Sequence, residues 1–149
     1  MIKDSGERRN FDTGAVRDIQ EGKGRPWLMP TEVLHALTGG DEVVLCLHYF
    51  KGTGSTLHLY HALRHFADKA YGGCVETMLL DVAIHFEEGA LKYGDNNWQK
   101  GIPVECYMDS AIRHYLKYRR GDNDEPHDRA FVWNIMCCIW EVDYRNKED

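Results

Sequence analysis

The sequence predicts an all-α fold: a bundle of four to five helices preceded by an irregular N-terminal arm. Three observations predict it. Apolar residues recur at three- and four-residue spacing, most clearly Val75, Met78, Leu79, Val82, Phe86 and Tyr93. Glycines close such stretches at 39–40, 72–73, 94 and 121, where helix C-caps are expected. The connections between stretches are short, which favours packing of sequence neighbours. With 149 residues, 43% of them hydrophobic, the chain has the size and apolar content of one ordinary domain.

Each element follows in order. Residues 1–30 carry little periodicity and contain Gly6, Gly14, Gly22, Gly24, Pro26 and Pro30. They read as an arm, with one turn of helix around 16–20, and residues 31–149 as a single all-α domain. Thr31, after Pro30, is expected to cap a short helix, TEVLHAL, that ends at Gly39-Gly40. DEVVLCLHYF (41–50) fits strand or helix. KGTGS is a loop, with Ser55 or Thr56 capping a helix through LHLYHALRHFADKAY. The helix over 74–93 is followed by a turn region, DNNWQKGIP, and a helix over about 106–120. In the acidic turn GDNDEP, Asp124 is expected to cap a last helix that holds Pro126 in its first turn and runs to about Val142.

Composition excludes several function classes. A net charge of -6 argues against duplex nucleic acid, whose binding rests on phosphate neutralisation, but allows a local basic pocket for a small phosphorylated ligand. The opening MIKDSGERRNF lacks the apolar core of a signal peptide, and no run approaches the roughly 20 apolar residues of a membrane span. Five cysteines at irregular spacing, none in a CxxC, point to reduced thiols in a cytoplasm. P-loop, nucleophile-elbow and Rossmann signatures are absent.

Three polar clusters remain. In DVAIHFEEGALKYG, the residues Asp81, His85, Glu88 and Lys92 share one helix face, with Glu87 about 100° round, closer to the bundle. Glu87 and Glu88 beside Gly89 suit a hard cation; the same spacing equally gives a solvated face with a Glu88–Lys92 pair. In GDNDEPHDRAFVWN, the groups Asp122, Asp124, Glu125, His127 and Asp128 exceed what a helix dipole needs. Glu125 and Asp128 fall one turn apart, and His127 shares a face with Asn134. Asn134 interrupts an apolar run, so it is expected to be buried, partnered either by a ligand or by another helix. The third cluster is basic: Arg17, Lys23 and Arg25 in a glycine-rich arm, with Lys92, Arg113 and Lys117 on helices. Such groups hold phosphates or form a solvated tail. Tyr93 and Trp98 could wall a purine or plug the end of a core.

Two segments, GAVRDIQEGKGRPWLMP and HFEEGALKYGDNNWQKGIPVECYMDSAIRHYLKYRRGDNDEPHDRAFVWNIMCCIWE, resemble a family of phage and prophage dATP/dGTP diphosphohydrolases. These look like relatives of the MazG-like all-α nucleotide pyrophosphohydrolases. The resemblance covers about 12–37 and 74–145 and leaves 38–73 as an insertion. It implies a MazG-like bundle in the cytoplasm of a bacterial host. It also implies hydrolysis of a purine nucleotide, dATP or dGTP, to monophosphate and pyrophosphate with Mg²⁺ or Mn²⁺ on helix carboxylates. Carried onto this sequence and joined to the clusters above, it makes Glu87, Glu125 and His127 catalytic. The metal falls to Glu87, Glu88, Asp124, Glu125 and Asp128. Arg17, Lys23, Arg25, Lys92, Trp98, Asp109, Arg113 and Asn134 face the nucleotide.

The chain departs from the broader pattern in one respect. Glu125-Pro-His-Asp128 fits ExxD, but the preceding helix offers no ExxE. That departure motivates an alternative, a non-catalytic protein that sequesters a signalling nucleotide of host defence. The run FVWNIMCCIW carries more apolar surface than a monomeric bundle needs, so a homo-oligomer, dimer or tetramer, is expected.

Overall fold

A computed structural model describes residues 4–145. Its first elements are two short strands, β1 (Arg8–Asn10) and β2 (Val16–Asp18), paired antiparallel with Arg9 opposite Arg17. The turn of helix expected around 16–20 is therefore extended chain. Its cause lies far along the sequence: the buried Asn97 amide accepts from Val16 N at 2.8 Å and donates to Val16 O at 2.7 Å. A side-chain amide thus stands in for a third strand.

A 3₁₀ turn at Pro26–Leu28 leads to six α-helices: α1 (Thr31–Leu37), α2 (Glu42–Thr53), α3 (Leu57–Ala70), α4 (Val75–Tyr93), α5 (Val104–Arg120) and α6 (His127–Asp143). The expected bundle is present among the described residues, with one helix more than the upper expectation. The ambiguous run after Gly40 is α2, because Asp41 accepts from Val44 N at 3.0 Å and caps it, and it continues to Thr53 before Gly54 reverses the chain at φ 74°. Two expected caps do not form. Thr31 is the first helical residue, and its hydroxyl meets His48 Nδ1 at 2.7 Å, tying α1 to α2. Thr56 spends its hydroxyl on Asp143 of α6. Between α4 and α5 the chain makes a 3₁₀ turn at Asn97–Lys100.

Helices α5 and α6 pack on each other most extensively, α4 and α3 pack against α6, and α2 packs on α3. The centre is aromatic, with Phe66 and Phe131 at 4.7 Å and Tyr115 and Phe131 at 5.1 Å between ring centres. The 38–73 segment supplies Val43, Leu47, Phe50, Leu59 and Phe66 to this same core. The apolar run of α6 is spent inside the chain, since Phe131, Val132, Ile135, Cys137 and Cys138 are all buried. Met136, Ile139 and Trp140 of the same helix line an apolar groove. Uncovered apolar side chains include Leu80 (74% exposed) and Leu91 (83%) on α4 and Leu37 (81%) on α1. No helix of the described residues is long and apolar enough to cross a membrane.

Asp41 joins three elements from a buried position. Besides capping α2, its carboxylate accepts from Tyr115 Oη of α5 at 2.6 Å and lies 3.4 Å from Arg119 and 3.7 Å from Lys69 of α3. Asp41→Ala removes a cap, worth about 1 kcal/mol, and strands a buried hydroxyl, worth about 1–3 kcal/mol. The variant should lose about 2–4 kcal/mol in urea unfolding with an unchanged denaturant slope; a midpoint equal to wild type would contradict this account of the fold.

Candidate functional site

A cleft of about 650 Å³ lies between the arm and one face of the bundle, within the range of small-molecule sites. The β1–β2 ribbon and the following loop roof it, with Arg9, Arg17 and Lys23. Helix α4 contributes His85, Gly89 and Tyr93; α5 contributes Ser110, Arg113, His114 and Lys117; the α6 side contributes Glu125, Trp133 and Asn134. Five lysines and arginines line it against three carboxylates, Asp4, Asp18 and Glu125. An acidic chain has thus gathered positive charge in one concavity.

Arg17 holds the roof to the floor. Its Nη2 donates to Ser110 Oγ and to Asn134 Oδ1, both at 3.2 Å, and its guanidinium lies over the rings of Tyr107 and Trp133 at 5.3 and 5.7 Å. Asn134 is buried as expected; its Nδ2 donates to Ala130 O at 2.8 Å, so it serves both α6 and the arm. A second anchor lies beyond the loop. Asp109, almost fully buried on α5, accepts from Arg25 Nε at 3.0 Å and Trp27 N at 2.9 Å. Arg113 Nη1 donates to Gly24 O at 2.7 Å, and burial beside Arg17 lowers its pKa.

At the end of the cleft where α5 meets α6, three residues form a chain. His127 is buried; its Nε2 lies 2.7 Å from Asp124 Oδ1 and its Nδ1 lies 2.9 Å from His114 Nδ1. The carboxylate only accepts, so Nε2 of His127 carries the proton. In the neutral ring Nδ1 then accepts from His114 Nδ1–H, and the lone pair of His114 sits on Nε2. Burial, with His127 beside it, holds His114 well below the usual histidine range. Donor atoms of His114, Glu125 and His127 lie within 4.8 Å of one another, as do those of Asp122, Asp124 and His127.

Among the expected residues, Arg17, Lys23, Arg113, Glu125 and Asn134 therefore share the cleft, with His127 and Asp124 behind it. The others go elsewhere. Glu87 is exposed on α4, away from the cleft, not turned toward the bundle. Glu88 faces Arg129 at 3.9 Å, and Asp128 accepts from Arg129 N at 2.8 Å. Pro126 is the residue before α6 (φ -77°, ψ 81°), so Glu125 lies outside the helix and the ExxD spacing does not put it on one face with Asp128. For the same reason Asp124 serves His127 rather than capping α6. Lys92 lies 3.8 Å from Asp4 and Lys23 2.8 Å from Asp18. Arg25 and Asp109 are spent on each other. Trp98 lines a separate apolar groove, packed edge-on against Trp140 at 5.0 Å and Phe86 at 5.9 Å. Tyr93, by contrast, lines the cleft, under Arg8 at 4.9 Å.

Sequence reading missed His114, Ser110 and Trp133. A signal existed for two of them: Ser110, His114 and Lys117, spaced four and three apart, form a polar stripe on one face of α5.

The family model described as dATP/dGTP diphosphohydrolase, N-terminal, matches residues 74–149. That span is half the chain and holds α4, α5 and α6, three of the walls of the cleft. The chain belongs to this family. No curated protein and no solved structure matches it. The dATP/dGTP diphosphohydrolases are pyrophosphohydrolase enzymes, and the roof of the cleft comes from residues before the matched span.

His85 tests the burial of the floor. It is buried against Trp133 at 5.6 Å, and desolvation, with Arg129, Arg17 and Lys92 adding like-charge repulsion, pushes its pKa down to about 4. The unfolded chain takes up this proton near pH 6.5, about where free histidine titrates. Stability present above that pH is lost as pH falls toward 4, at up to about 1.4 kcal/mol per pH unit. Melting temperatures between pH 7 and 4.5 should fall less steeply in His85→Gln than in wild type; parallel curves would contradict the burial.

Proposed function

We propose that this chain hydrolyses the purine deoxynucleoside triphosphates dATP and dGTP to monophosphate and pyrophosphate, with the cleft as its site. The observation that carries the reading is the charge of the cleft in a chain of net charge -6. Arg9 and Arg17 stand directly opposite on the ribbon, and both line it. With Lys23, Arg113 and Lys117 they make the cleft attractive to a polyanion. Family membership supports the purine deoxynucleoside triphosphate as the polyanion.

A divalent ion, Mn²⁺ or Mg²⁺, belongs to the proposal. Glu125, His114 and His127 are the residues that would hold it, His127 through Nδ1 once that atom exchanges its hydrogen bond from His114 for the ion. Their mixed imidazole and carboxylate donors suit a first-row ion such as Mn²⁺ better than Mg²⁺, which favours oxygen ligands. Such an ion, when bound, offsets triphosphate charge and acidifies water. The chain's own residues do the rest. Asp124 fixes the His127 tautomer, in the manner of the carboxylates that back metal-binding histidines. Lys23, Arg113 and Lys117, which line the same cleft, offset phosphate charge. Water adds to the α- or β-phosphorus, and the bond to the α,β-bridging oxygen breaks. Monophosphate and pyrophosphate result.

One observation favours a second reading, sequestration of a nucleotide without turnover. Of the five carboxylates expected to hold metal, only Glu125 lines the cleft. Incubation with dATP, dGTP, ATP, GTP and pyrimidine deoxynucleotides plus Mn²⁺ or Mg²⁺, followed by chromatography, separates the two. Hydrolysis predicts purine monophosphate and pyrophosphate, suppressed by EDTA and lowered about 100-fold or more in Glu125→Gln and His114→Gln. Recovery of intact nucleotide from every mixture would overturn the enzyme reading and leave binding only.

A further inference from the structure

The floor of the cleft holds polar atoms that the protein leaves unpaired. Arg17 Nη1 and His85 Nδ1 are buried and have no partner among the described residues, and neither has Tyr107 Oη. All three residues surround one ring, Trp133: Arg17 lies over it at 5.7 Å, His85 packs at 5.6 Å and Tyr107 at 6.1 Å. His85 is 93% buried, being 7% exposed, and it lines the cleft. Native interiors rarely leave buried polar groups unpaired, because each costs about 1–3 kcal/mol. Arg17 and His85 also line the cleft, with Tyr107 behind them, and these two point to a ligand that pairs with them.

The donors define that ligand. Arg17 Nη2 is committed to Ser110 and Asn134, which fixes the plane of the guanidinium and leaves Nη1 as a held donor. The Ser110 hydroxyl accepts from Arg17, and its own proton remains for another acceptor. Both groups offer hydrogens, and both stand beside aromatic faces against which a flat ring can stack. The Hoogsteen edge of guanine presents two acceptors, O6 and N7, whereas adenine presents N7 and the donor N6. A donor facing a donor disfavours the adenine edge. His85 adds an acceptor lone pair when its proton sits on Nε2. Guanine N1–H can use that lone pair, and adenine N1, itself an acceptor, cannot.

We propose that Arg17, Ser110 and His85, arranged around Trp133, form a seat for the base that selects 6-oxopurines over 6-aminopurines. This rests on the reading of the cleft as a purine nucleotide site and specifies it. The triphosphate then lies toward His114, Glu125 and Lys117, the far end of the same cleft.

Two measurements on the full chain test it. The first compares kcat/KM for dGTP, dITP and dATP. The seat predicts dGTP and dITP ahead of dATP by about 10- to 100-fold, the discrimination of one bidentate base contact. Because dITP lacks the 2-amino group, its place beside dGTP assigns the selection to O6 and N7. In Arg17→Lys the dGTP-to-dATP ratio should collapse toward one, and in Ser110→Ala it should shrink. Equal wild-type rates overturn the seat, and so does a proportional loss for both nucleotides in Arg17→Lys, which would make Arg17 a phosphate anchor. The second measurement is calorimetric binding of deoxyguanosine, deoxyinosine and deoxyadenosine, which carry no phosphate. Should no triphosphate be hydrolysed, the function above fails while selective binding of the two 6-oxo nucleosides still upholds the seat. Absence of that selection overturns it. Circular dichroism of each variant guards against reading misfolding as lost recognition.

Discussion

The guanidinium of Arg17 is pinned from β2 into the angle between α5 and α6, with Nη2 on Ser110 and Asn134 and its face over Tyr107 and Trp133. The cleft depends on this contact. The Asn97 amide on Val16 and Thr13 on Gly101 O hold the ribbon elsewhere, but among the described residues only Arg17 reaches from it to both α5 and α6 beneath the cleft. Placing a charge there is costly unless its hydrogen bonds are met, and the protein meets only part of them. The unmet part is Nη1, on a residue that lines the cleft.

A second anchor makes the roof a bridge rather than a flap. Arg25 and Trp27 N both end on Asp109, while Lys23 and Arg113 meet the loop between the anchors through Asp18 and Gly24. The chain from Val16 to Trp27 is thus fixed at both ends to α5, and the glycines between allow it to curve. The same helix turns Ser110, His114 and Lys117 into the cleft. One helix therefore positions both the roof and three polar groups of the cleft, which couples the fold of the arm to the geometry of the site.

Much of the fold was legible in the sequence. Apolar spacing set α4 within a residue, Gly94 and Gly121 set helix ends, and the lone amide in the apolar run of α6 was buried as anticipated. The strands were not legible, because Val16–Asp18 is held extended by Asn97, a residue 81 positions away. Nor was the entry to α6: Pro126 reads as a first-turn residue, but the helix begins after it, which removes Glu125 from the helix and gives Asp124 to His127. Site residues divided on the same ground. Residue type marks Arg17, Arg113 and Asn134, and all three lie in the cleft. Position in a motif marks Asp109, which anchors the arm, and Glu87, which is exposed on α4. Spacing along one helix says which residues share a face; it does not say which face meets the arm.

The central claim is that the cleft under the arm binds a purine nucleotide. Hydrogen–deuterium exchange of the full chain, with and without a non-hydrolysable α,β-imido analogue of dGTP and Mn²⁺, tests it most directly. The account predicts slowed exchange in two places, the loop from Ile19 to Lys23 and the turn from Asp122 to His127, with the outer face of α4 unchanged. Protection confined to α4, or to the apolar groove around Trp98 and Trp140, would place the nucleotide elsewhere and contradict it.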